Sequence, residues 1–185
     1  MKNIMETIST EITTVMGQVS PEETKALADK LEKANRIFVA GTGRSGLVGK
    51  MFAMRMMHSE YPIYVVGETV TPSIATDDLL LLISGSGSTG SLKQYGEKAK
   101  EIGAEVALVT TNRDSAIGKL SEVTVTIPSA TKKRLPQEPE TIQPLGSQFD
   151  QSAHLVLDAI VVYLLDNKPA GQDNTKLNQM HANLE

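Results

Sequence analysis

Two short segments of this chain concentrate the residue types that bind anions and move protons. The first is Gly41-Thr42-Gly43-Arg44-Ser45-Gly46, which sets a guanidinium and two hydroxyls among three glycines. Its spacing, Gly-x-Gly-x-x-Gly, matches the dinucleotide fingerprint letter for letter, and Glu68 stands where an acid would meet a ribose hydroxyl. The second is Ser84-Gly85-Ser86-Gly87-Ser88-Thr89-Gly90. Glycines let backbone N–H groups approach an anion, hydroxyls add donors, and the start of a helix adds positive potential. That set suits a phosphate monoester and argues against the dinucleotide. There is no Gly-Lys-Ser/Thr, so the segment is not a nucleoside-triphosphate loop.

Each loop needs a strand before it and a helix after it, and the flanking residues supply both. Arg36-Ile37-Phe38-Val39-Ala40 reads as a buried strand, followed by a helix over about Ser45 to His58. Ile63 to Gly67 reads as the second strand and Leu79 to Ile83, apolar on both faces, as the third. A helix from about Ser88 should end at Gly103, before a fourth strand at Glu105–Thr110. A short helix near Ser115 to Leu120 leads to a fifth strand, Glu122 to Ile127. Continuous apolar strands alternating with helices imply a doubly wound α/β fold of flavodoxin type, a five-stranded parallel sheet with helices on both faces. Ligands in such sheets bind at the carboxyl ends of the strands, where both loops fall.

Outside that frame, Ile4, Ile8, Ile12, Val15 and Val19 carry helical spacing, and Ser20-Pro21-Glu22-Glu23 reads as a capping box opening a second helix to about Ala34. Residues 128–148 hold four prolines and no periodicity, a loop long enough to be functional. Phe149 to Leu165 is a strongly apolar helix, and the polar C-terminus carries Leu177, Met180 and Leu184 at helical spacing. The expected organisation is N-terminal helices over 1–34, the sheet domain over 35–170 and a tail over 171–185.

Composition narrows the function. Eighteen basic against 22 acidic residues give a net charge of -4, and there is no Trp, so nucleic acid is a poor partner. With no Cys there is no disulfide, thiolate metal site or cysteine nucleophile. Glu6 and Glu11 break up the N-terminal segment, which argues against a signal peptide. The longest apolar stretch, Leu155 to Leu165, holds Asp158 and is too short to span a bilayer. The expected location is the cytoplasm, with no membrane association.

The paired loops, each between a strand and a helix, resemble the sugar isomerase (SIS) domain, whose members bind phosphosugars through the second loop. Met57-His58, the Val65–Pro72 segment, Pro144-Leu145-Gly146-Ser147-Gln148-Phe149 and the terminal His181-Ala182-Asn183-Leu184-Glu185 narrow the resemblance to the 6-phospho-3-hexuloisomerases. The resemblance implies conversion of D-arabino-hex-3-ulose 6-phosphate to D-fructose 6-phosphate, hexulose-phosphate synthase as pathway partner, no metal or organic cofactor, and a homo-oligomer, most simply a tetramer. Gly43, Arg44 and Ser45 would then contact sugar hydroxyls or an oxyanion. The stretch Ser84, Gly85, Ser86, Gly87, Ser88 and Thr89 would hold the phosphate. SIS isomerases often place a Glu base at the start of the helix after the long loop, where this chain has Asp150. Glu68 and His58 are rival candidates. His181 is expected to reach across a subunit boundary and serve ring opening. A phosphosugar-sensing domain without chemistry is the alternative.

Overall fold

Parallel strands need a crossover between them, and each apolar run of the sequence is followed by a segment that makes one. The computed structural model describes residues 1–168 and 174–184. Its strands are β1 (Ile37–Gly41), β2 (Ile63–Val65), β3 (Leu79–Ile83), β4 (Glu105–Thr110) and β5 (Val123–Thr126). They form one sheet in the order β2-β1-β3-β4-β5, every pairing parallel. The helices are α1 (Lys2–Met16), α2 (Pro21–Lys33), α3 (Gly43–His58), α4 (Gly90–Ile102), α5 (Ser147–Asp166) and α6 (Asn174–Met180). The chain winds outward in both directions from β1 and β3, so the switch point lies between them. Of the expected tail, residues 171–173 and Glu185 lie outside the described residues.

Side chains alternate across the sheet with period two. Val39, Leu81, Ile83 and Val109 pack against Leu31, Phe52, Phe149 and Leu157 from α2, α3 and α5. Phe38, Leu80, Leu82 and Leu108 pack on the opposite face with Leu92 and Ala99 of α4 and with Ile117. The expectation of helices on both faces holds, but unevenly. Residues of α1, α2, α3 and α5 are buried in the first cluster, with Leu177 of α6 packed against it, whereas α4 carries most of the second, helped by Tyr64 of β2 and by Val66 and Ile74 from loops.

Register fixes the site. Gly41 pairs with Ile83, and Ile83 with Val109. Thr42, Ser84 and Thr110 therefore stand side by side at the carboxyl edge.

Several boundaries shift for local reasons. The second strand closes after Val65, because Glu68 N–H bonds back to the Val65 carbonyl around Gly67, whose φ is +95°. The capping box is only half formed. Ser20 Oγ accepts from Glu23 N–H at 3.1 Å. The Glu23 carboxylate does not return to the cap; it accepts from Thr126 N–H at 2.7 Å and pairs with Arg113 at 2.9 Å. Strand β5 is an edge, and Glu23 serves a backbone donor that would otherwise lack a strand partner. The short helix near Ser115 is a 3-10 turn at Gly118–Leu120.

Candidate active site

The turn from β1 into α3 is tight because two glycines touch. A Cβ on Gly41 would come within 2.8 Å of the Gly46 backbone, and one on Gly46 within 2.8 Å of the Gly41 carbonyl. The Gly-x-Gly-x-x-Gly spacing is thus accounted for by backbone packing, and no dinucleotide is needed to explain it. The close turn lifts Arg44 and Ser45 into the first turn of α3, at the sheet edge.

The second loop folds around Gly87, whose φ is +61° and where a Cβ would collide with Ser115. Its N–H bonds the Ser84 carbonyl and its carbonyl accepts from Ile117 N–H. Ser84 and Thr89 hydroxyls stand 3.3 Å apart. Helix α4 begins at Gly90, two residues later than the sequence predicts. Thr89 occupies the cap position without capping, so its hydroxyl is not spent on its own helix. The first backbone N–H groups of α4 have no intrahelical partner either, and they face the same edge.

Helix α5 closes the site. Phe149 packs on Gly85, where a Cβ would meet its ring at 3.3 Å. One residue on, Asp150 is buried, accepting from Ser45 Oγ at 3.0 Å and pairing with Arg44 Nε at 2.9 Å. Burial pushes the Asp150 carboxyl above its ordinary range, against the opposing pull of Ser45 and Arg44. A carboxylate with raised proton affinity at the mouth of a cleft is suited to take and return a proton.

These parts line one cleft of about 470 Å³. Gly43, Arg44, Ser45, Ser84, Gly85, Ser86, Thr89 and Asp150 are all on its wall. Gly87 and Ser88 are not: Gly87 is buried behind the loop, and Ser88 is exposed, donating to Ser86 Oγ through its N–H at 3.3 Å. Sequence reasoning missed Thr111 and Asn112, which follow β4, and Lys132, Lys133 and Glu138 from the long loop. The first two could have been found, since the carboxyl ends of central strands are where ligands bind. The lysines gave no such signal, because a segment without periodicity does not say what it faces.

The remaining candidates stand elsewhere in the chain. Glu68 is half-exposed and paired with Lys50 at 2.6 Å. His58 ends α3, about 20 Å along the helix axis from Ser45. Its ring stacks on His181, centroids 5.2 Å apart. Burial, then the neighbouring His181 and Arg55, hold His58 below its ordinary range. Among the described residues no group of three His, Asp or Glu side chains could hold a metal ion, and no helix is long and apolar enough to cross a membrane.

Residues 30–141 match the SIS domain family. The chain is 40% identical to the 3-hexulose-6-phosphate isomerase of Bacillus subtilis, over 96% of this chain and 95% of that one. It is 39% identical to the 3-hexulose-6-phosphate isomerase of Mycobacterium gastri, over 99% and 90% of the two chains. A crystal structure from Methanococcus jannaschii, inferred to be a 3-hexulose-6-phosphate isomerase, superposes with a TM-score of 0.84 at 30% identity, covering 98% of each chain.

Proposed function

The chain belongs to the SIS domain family, and from that premise we propose that it is a 3-hexulose-6-phosphate isomerase, interconverting D-arabino-hex-3-ulose 6-phosphate and D-fructose 6-phosphate. The observation that carries the reading is the buried Asp150, held by Ser45 and Arg44 in the same cleft as the Ser84–Thr89 hydroxyls. A domain that only sensed phosphosugars would need the loop but not a buried carboxylate beside it. Relatives named as isomerases, matched over nearly their whole lengths, support the catalytic reading over the sensor.

The reaction moves a carbonyl by one carbon. Asp150 takes the proton from C2 while the C3 carbonyl oxygen gains one, giving an enediol. The carboxyl then returns a proton to C3, and the C2 hydroxyl loses its proton as C2 becomes the carbonyl. The Arg44 N–H groups not turned to Asp150, with the backbone N–H groups of Gly43 and Ser45 in the first turn of α3, stabilise the oxyanion that develops between these steps. The phosphate, held by Ser84, Ser86 and Thr89, supplies binding energy away from the reacting carbons.

The working unit is a homo-oligomer, a tetramer in the simplest case, in the cytoplasm, with hexulose-phosphate synthase supplying substrate. Exposed Leu47, Met51 and Met54, spaced i, i+4, i+7 along α3, support a face for a second copy. Since His58 and His181 stand a helix length from their own cleft, they reach chemistry only at the cleft of another subunit. There His181 assists ring opening.

The test is turnover of the 3-ketose in an assay coupled to fructose 6-phosphate, together with exchange of carbon-bound hydrogen in heavy water. Binding of fructose 6-phosphate with neither turnover nor exchange would return the protein to the sensor reading.

A further inference from the structure

The segment from Pro128 to Gly146 contains no helix or strand, yet it is tied down along its length. Ala130 N–H donates to the buried Gln148 Oε1 at 2.7 Å. Glu138 accepts from Thr131 N–H at 2.9 Å and from its hydroxyl. Arg134 donates to the Gln143 carbonyl. One carboxylate from α1 then gathers the far end. Glu11 accepts from the Thr141 hydroxyl, from Ile142 N–H at 2.8 Å and from Gln143 Nε2 at 3.1 Å. Burial opposes the Glu11 charge, but these bonds outweigh it and hold the carboxyl below its ordinary range. The segment is a strap, and Glu11 is the pin.

Between its ties the strap sets Lys132 and Lys133 on the cleft wall. The hydroxyl loop carries no charge of its own, while a phosphate monoester near pH 7 carries close to two. Of the three cations lining the cleft, Arg44 has its charge offset by Asp150. Among the described residues neither lysine is in an ion pair, and the other lining carboxylate, Glu138, is held by Thr131. The two lysines are therefore the cationic charge left over for a ligand.

We propose that Lys132 and Lys133 are specificity-determining residues that supply the counter-charge to the sugar phosphate, and that Glu11 positions them by pinning the strap to α1. The assignment rests on the isomerase reading of the cleft but is separable from it. Both lysines are exposed, so their removal leaves the fold intact.

In the Lys132→Ala/Lys133→Ala variant KM for the 3-ketose phosphate rises about tenfold or more, the size of a lost charge-assisted bond, with kcat moving less. Calorimetric affinity for fructose 6-phosphate falls by a similar factor and becomes less dependent on salt. The Lys132→Arg/Lys133→Arg variant retains most of the affinity. Glu11→Ala raises KM in the same direction and adds nothing on the double-alanine background, the signature of residues acting as one unit. Unchanged KM and unchanged fructose 6-phosphate affinity in the double-alanine variant overturn the lysine assignment. An additive Glu11→Ala effect overturns the pin. A wild-type protein that binds fructose 6-phosphate through the lysines but turns nothing over sinks the isomerase reading and leaves this assignment standing.

Discussion

A general base has to hold a proton well and yet be ionised to take one, and the surroundings of Asp150 set both conditions. Burial raises its proton affinity, while Ser45 and Arg44 keep the anion attainable. The folded chain therefore binds more protons than the unfolded chain between the ordinary and the raised pKa, and stability falls as pH rises through that window. At neutral pH the carboxylate is a net cost to folding. Asp150→Asn is accordingly expected to abolish heavy-water exchange yet raise Tm at pH 7, with little change in Tm well below pH ~3.9, where both states are protonated. Thermal melts at the two pH values check this, and a lower Tm at pH 7 would contradict the direction assigned. In the wild type the acid limb of kcat/KM should lie above the ordinary Asp range. Glu68→Gln should leave exchange largely intact, since Glu68 faces Lys50 and not the cleft. Ser86→Ala and Thr89→Ala should each weaken fructose 6-phosphate binding by about 1–3 kcal/mol with Tm hardly moved, because neither buries apolar surface. Calorimetry that finds both affinities unchanged would remove the phosphate role from the loop. These residues were legible because glycine and hydroxyl crowding after an apolar strand has few other uses. Lys132 and Lys133 were not, since two lysines in an aperiodic loop usually face solvent.

The elements that carry the site were read from runs and periods, and their failures are informative. Strands β1, β3 and β4 are buried on both faces and show it as unbroken apolar sequence. Strand β2 is an edge of three residues, so Val66 and Gly67, which continue its apolar pattern, belong to the turn instead. Glu23 has the spacing of a capping residue but is drawn to Thr126, a contact 103 positions away that no local pattern encodes. The spacing Gly41-x-Gly43-x-x-Gly46 cannot by itself separate backbone packing from dinucleotide binding; the close approach of Gly41 and Gly46 does. This makes a paired test available. Gly46→Ala drives a Cβ into the Gly41 carbonyl, a backbone atom that cannot yield cheaply. A loss of roughly 1–3 kcal/mol is expected, with KM raised as Arg44 and Ser45 shift. Gly17→Ala, at a right-handed φ of -66° with only ordinary contacts, should be neutral or stabilise by up to about 1 kcal/mol. Denaturant melts should therefore show the loss in Gly46→Ala and none in Gly17→Ala, and a Gly46→Ala protein as stable as the wild type would mean that the 41–46 contact does not hold the turn.

At the scale of the molecule, the sheet order β2-β1-β3-β4-β5 decides where chemistry can occur, because it opens one crevice between the carboxyl ends of β1 and β3. Alternating strands and helices made a doubly wound parallel sheet an expectation from the sequence alone, though not which strand lies beside which. What they do not convey is whether a residue remote from its own cleft would serve the cleft of a second copy. The terminal His181 illustrates the gap. Within one chain it stacks on His58 at the far end of α3, remote from Ser45 and Asp150. If the tail is only a frayed terminus, His181→Ala is silent. If it acts in trans, a working cleft combines Asp150 of one copy with His181 of another, and the two defects can be separated by mixing. Substrate chemistry sharpens the expectation. The 3-ketose cannot close a five-membered ring, because O6 carries the phosphate, so the forward substrate is open-chain. Fructose 6-phosphate closes from O5 onto C2, and only the reverse direction needs ring opening. His181→Ala is therefore expected to slow consumption of the closed ring, followed by rapid quench, more than it slows exchange on the open chain. Co-expressing His181→Ala with Asp150→Asn should restore part of the ring-form activity, because some mixed clefts then receive both intact residues. A mixture no more active than the His181→Ala protein it contains would place the histidine outside every cleft in the assembly.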